Sequence, residues 1–133
     1  MQQIILYFIL ATLVLAQTGE PYAIKTGDGR FSYFVAGEQR DPDVPNSRPY
    51  YLSGHESTVC NLTGFLKIRL SEETDPDRFA QEHGLRLEQK ITGSAFLFRN
   101  TTEMDDMQKA SGLWDAPGVI SAEPQCQSKR RLQ

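Results

Sequence analysis

The sequence is poor in the side chains that carry metal and nucleophilic chemistry. It has two cysteines, Cys60 and Cys126, and two histidines, His55 and His83. Structural zinc sites need four ligands at short intervals, so this scattered set argues against zinc. Ser53-Gly54-His55-Glu56-Ser57 crowds Ser, His and Glu together, but a triad is made by geometry across a fold rather than by adjacency. His83 falls at the predicted end of a helix, where a partly charged imidazole suits the dipole and a structural role. The reading is therefore no enzyme, no metal and no cofactor.

Long apolar runs are also lacking. Ile4–Ala16 is an apolar run of thirteen residues, interrupted only by Thr12, short of the roughly 20 needed to span a bilayer. It fits the apolar core of a secretory signal, with cleavage after Ala16. The absence of Lys or Arg before the run is atypical, and an uncleaved membrane anchor is the alternative. Residues 1–16 are read as a signal peptide, which predicts a periplasmic or secreted protein with no membrane contact after cleavage. Export makes the even cysteine count favour a disulfide. Asn61-Leu62-Thr63 and Asn100-Thr101-Thr102 are sequons, relevant only in a host that glycosylates exported proteins.

Positive charge is scarce: 14 Lys and Arg against 17 Asp and Glu, a formal net charge of −3. Three of those cations, Lys129, Arg130 and Arg131, sit in the last five residues. Without them the formal charge falls from −3 to −6. A basic aromatic run of the kind that stacks RNA bases is missing, so no nucleic-acid partner is expected. A solvated terminus is the ordinary reading of a charged chain end.

What is present divides in two. In residues 17–60, Tyr22–Thr26 and Arg30–Ala36 flank Gly27-Asp28-Gly29 and predict a hairpin. Pro42, Pro45, Asn46 and Pro49 then mark a loop. This N-terminal extension either leans on the rest of the chain or on a partner, or is a linker. From residue 61 the punctuation is cleaner. Gly64–Leu70 alternates, with Leu66, Ile68 and Leu70 on one face. Asp75-Pro76 and Gly84 bracket a helix. Leu85–Ile91 and Ser94–Arg99 predict two strands. Thr101 or Thr102 caps a second helix in which Met104, Met107, Ser111 and Trp114 recur at helical spacing. Val119–Glu123 predicts a last strand. The order β-α-β-β-α-β predicts a ferredoxin-like α+β fold, an antiparallel sheet with two helices on one face. That sheet would bring Cys60 and Cys126 to one corner.

Phe79-Ala80-Gln81-Glu82-His83-Gly84-Leu85-Arg86-Leu87, Phe96-Leu97-Phe98-Arg99 and Pro117-Gly118-Val119-Ile120-Ser121-Ala122-Glu123-Pro124 carry a resemblance. Together they resemble the prodomains of subtilisin-like serine proteases, over about half the chain. Because no protease follows, the chain resembles the stand-alone external chaperones of kexin-like serine proteases. The resemblance implies a prodomain-like domain over residues 61–126 and a basic tail over 127–133. It implies an exported chaperone that binds a subtilisin-like protease, in a 1:1 complex, and assists its folding. A stand-alone inhibitor without a folding role is the alternative. The tail Lys129, Arg130, Arg131, Leu132 and Gln133 would enter the active-site cleft. Phe65, Lys67 and Arg69, with Ala95, Leu97 and Arg99, would form the sheet face that docks.

Overall fold

The computed structural model describes residues 21–127. The expected signal peptide at 1–16 and the tail residues Lys129–Gln133 lie outside the described residues. In chain order the elements are β1 (Tyr22–Lys25), β2 (Phe31–Ala36), a 3-10 turn (Pro45–Ser47), β3 (Tyr50–Leu52) and β4 (His55–Leu70). Then come α1 (Pro76–His83), β5 (Leu85–Thr92), β6 (Ala95–Asn100), α2 (Asp106–Leu113) and β7 (Val119–Gln127).

The ferredoxin-like expectation is corrected. The described residues are mostly β, with two short helices. Their strands form one sheet ordered β3-β2-β1-β7-β4-β6-β5. A further antiparallel pairing of β3 with β4 closes β3, β2, β1, β7 and β4 into a five-stranded antiparallel barrel. β6 and β5 extend the sheet beyond it. The physical reason is the extension: it is neither a linker nor an appendage, but supplies three of the five barrel strands.

β4 makes this possible by serving two partners. Its first half pairs with β3, Tyr50 facing Cys60. Its second half pairs with β6, Ile68 facing Phe96. Between them the β7 register shifts from Leu62 to Leu66, and Gly64 adopts φ 91°. A bulge at a residue free to take positive φ bends the strand and re-aims its two halves. The alternation seen from Gly64 onward is the second half of a longer strand, which His55 begins.

One hydrophobic cluster joins both parts of the chain. Leu66, Ile68, Leu70 and Phe98 from the sheet pack with Phe79 and Ala80 of α1 and Met107, Ala110 and Leu113 of α2. Ile24, Phe34 and Tyr50 of the extension belong to the same cluster. Burial of such side chains contributes about 1.5–3 kcal/mol each, so the extension is held by its own domain.

α1 starts where its punctuation places it. The Asp75 side chain accepts from the Asp77 N–H, Pro76 occupies the first turn, and Gly84 ends the helix in the left-handed region. α2 starts later than expected. Asp105 is its cap, accepting from the Gln108 N–H at 2.8 Å. The two threonines are engaged elsewhere: Thr101 Oγ1 donates to the Gly84 carbonyl and Thr102 Oγ1 to Asn100 Oδ1. Met104 consequently falls before the helix and is exposed.

Gly118 carries a direct test of this packing. It sits at φ 84°, and a Cβ there would press into the Thr74 side chain. Gly118→Ala is expected to lower stability by about 2 kcal/mol or more, through strain and contact together. A urea midpoint equal to that of the parent chain would contradict this account.

Candidate docking face and cavity

Alternation along β4 and β6 places the six predicted face residues together. In register, Phe65 faces Arg99, Lys67 faces Leu97 and Arg69 faces Ala95. Their neighbours Leu66, Ile68, Leu70 and Phe98 point to the opposite, buried side. At one end the face is open. The Arg99 guanidinium lies over the Phe65 ring, 4.6 Å from its centroid, and pairs with Glu88, which also holds Arg86. These two arginines hold the exposed Glu88 carboxyl below the usual carboxylate range, the Arg86 hydrogen bond contributing most.

At the other end the face is covered. The β1–β2 turn crosses it, and Gly27 is gripped from two sides. Its N–H donates to Glu123 Oε2 at 2.9 Å. Its carbonyl accepts from Arg69 Nη1 at 2.9 Å, while Arg69 Nε reaches Ser94 Oγ at 3.3 Å. Ala95 is buried, 4% exposed. Ala95, expected to be available for docking, is therefore not a surface residue, and Arg69 is already engaged within the chain.

Between turn and sheet lies a cavity of about 710 Å³, lined by Gly27, Asp28, Arg30, Lys67, Arg69 and Glu123 among others. Burial pushes the Glu123 carboxyl above its usual range; the Gly27 N–H and Lys67 oppose that, and Asp28 adds to it. Asp28 is held by the Thr26 hydroxyl and the Arg30 N–H, which keep its exposed carboxyl below the usual range.

Sequence reasoning placed Glu123 only in a strand and missed its contact with Gly27. The two residues are 96 positions apart, and nothing local signals the pairing.

The remaining predicted residues fall as follows. Cys60 and Cys126 form a disulfide, with Cα atoms 4.9 Å apart. His83 packs on the Phe79 ring with centroids 4.4 Å apart. Burial lowers its pKa, with Lys109 acting the same way, which favours the neutral ring over the charged one expected at a helix end. His55 is exposed at the start of β4. Among the described residues, no group of three His, Cys, Asp or Glu side chains is placed to hold a metal ion. No described helix is long and apolar enough to cross a membrane. No protein-family model, curated protein or solved structure matches the chain.

Proposed function

We propose that the chain is an exported external chaperone of a subtilisin-like, kexin-like serine protease. It holds the protease with the open part of the β4–β6 face and fills the active site with Lys129–Gln133. The observation that carries this reading is the face itself. Phe65, Leu97 and Arg99 sit side by side, opposite a fully packed core, with neither helix on their side of the sheet. A sheet face of that kind suits a partner that lays helices on it.

Two further features support the reading. The disulfide suits an oxidising, exported setting. It also anchors the end of β7, where Gln127 faces Asn61, so the basic segment follows a fixed point in the fold. Arg130 and Arg131 would meet acidic specificity pockets, since the guanidinium binds carboxylates in a planar fork. A subtilisin-like fold is rich in long-range contacts and slow to assemble. A surface that binds its native form stabilises that form by mass action.

The test is refolding. Denatured kexin-like protease is diluted with and without this protein, and activity is read after the complex is opened. Recovery several-fold higher with the protein present is expected. Equal recovery in both arms would leave only inhibition. Deleting Lys129–Gln133 is expected to weaken inhibition of the folded protease at least a hundredfold, because charge-assisted contacts in a closed cleft are worth several kcal/mol together. Unchanged inhibition by the truncated protein would remove the tail from the account.

A further inference from the structure

The cavity under the β1–β2 turn contains more positive charge than its own acids engage. Both carboxylates there have partners inside the chain: Asp28 with Thr26 and Arg30, and Glu123 with Gly27. Lys67 faces Glu123 across the β4–β7 ladder. Among the described residues, however, the Lys67 ammonium makes no hydrogen bond and no ion pair within 4 Å. Arg69 uses Nε and Nη1 on Ser94 and Gly27, and no described bond engages its Nη2. Arg30 is exposed and makes only a loose contact with Asp28, at 3.7 Å. Lys67 and Arg69 of β4 and Arg30 of the β1–β2 turn thus line one polar cavity of about 710 Å³, with donor capacity left over.

We propose that this cavity is a carboxylate-binding site, which takes an acidic side chain presented by a partner polypeptide. Lys67 is its main ligand, and Arg69 Nη2 and Arg30 are the secondary donors. Lys67 and Arg69 stand on β4, a rigid strand, at alternate positions of one face. The turn supplies the opposite wall through Gly27 and Arg30. A carboxylate accepts several charge-assisted bonds at once, whereas a neutral amide would accept a bond without compensating the cationic charge. An apolar group would desolvate three cations with no return.

That a protease carries this acidic side chain rests on the function proposed above. The cavity itself does not, and a small probe tests it without any protease. The oxidised, isotopically labelled protein is titrated with acetyl-Glu-Glu-amide and, separately, with acetyl-Gln-Gln-amide, while backbone amide NMR signals are followed. The acidic peptide is expected to give saturable shifts centred on Gly27, Lys67, Arg69 and Thr92–Ala95, with binding at least tenfold tighter than the Gln peptide. Lys67→Gln is expected to weaken it at least tenfold, Lys67→Arg to retain it within about twofold, and Lys90→Gln, on the exposed edge of β5, to leave it unchanged. The spectrum of each variant shows directly that it is folded. Equal binding of both peptides, equal loss in Lys67→Gln and Lys90→Gln, or no saturable shift at these residues would each overturn the assignment. Peptide binding without any effect on protease refolding would keep the cavity and sink the chaperone reading; the converse would do the reverse.

Discussion

Removing the Cys60–Cys126 disulfide is expected to cost about 4 kcal/mol of stability, by the loop-entropy relation for a closed loop of this size. The two cysteines are 66 positions apart. The bond therefore restrains more than half of the described chain in the unfolded state. In the folded state it joins β4 to β7 at the half of β4 that completes the barrel, where Cys60 is buried opposite Tyr50. Single domains are stable by only about 5–15 kcal/mol, so a loss of this size populates unfolded chains under mild conditions. The double variant Cys60→Ala/Cys126→Ala avoids a lone reactive thiol. Its urea midpoint, and that of the parent protein in reductant, should fall together. Cys126 is exposed, so reductant can reach the bond. If the midpoint is the same in oxidising and reducing buffer, the barrel is held by its ladders and core alone. The same treatment should weaken the proposed hold on a protease, because residues 128–133 follow directly on a strand end that the bond fixes.

What the sequence revealed depended on how local the determining contacts are. α1 was legible because Asp75, Pro76 and Gly84 are all within its own segment. That the six residues share one side of the sheet was legible because a period of two assigns sides without knowledge of the partner strand; that Ala95 on that side is buried was not. Disulfide pairing was legible from the even cysteine count and predicted export. The start of α2 was not, because three cap-competent residues precede it and sequence does not say that Thr101 and Thr102 spend their hydroxyls on Gly84 and Asn100.

The barrel was illegible for a related reason. It closes through a three-residue strand, β3, and through a single β1–β7 register pair, Lys25 with Ala122. Neither leaves a periodic signal. Gly64 was read as the start of a strand when it is the bend inside one. That half of the predicted face is covered was missed for the same reason, since only a closed barrel carries the β1–β2 turn across to Glu123 and Arg69.

The polar junction between β4 and α2 gives the second large effect. Asp106 is fully buried. Its Oδ2 accepts from the Gly64 N–H at 2.6 Å and its Oδ1 from Asn100 Nδ2 at 3.0 Å. Its own N–H donates to Asn46 Oδ1 at 3.0 Å. One carboxyl group thus ties the β4 bulge, the end of β6 and α2 together, and through the backbone the 3-10 turn. Asp106→Ala leaves the part-buried Gly64 N–H and one of the two Asn100 Nδ2 hydrogens without an acceptor, the other staying on the Met104 carbonyl; at about 1–3 kcal/mol each, a loss of about 2–4 kcal/mol is expected.

The sign of the pH dependence follows from the same site. Burial raises the Asp106 pKa above the usual 3.8; the Asn100 and Gly64 donors oppose it, and Asp105 adds to the rise. A carboxyl raised on folding contributes most below its unfolded pKa and loses that contribution as pH rises through the folded value. Glu123 acts in the same direction from 4.5. His83, lowered from 6.5, acts oppositely, losing stability as pH falls. Comparison of the parent chain with Asp106→Asn cancels both, since Glu123 and His83 are present in each. The stability advantage of the parent chain over the Asp106→Asn variant should therefore be largest below pH 4 and narrow steadily as pH rises toward neutrality, as read from urea midpoints at each pH. An advantage that widened with pH would mean that the two donors, not burial, govern the charge at this junction.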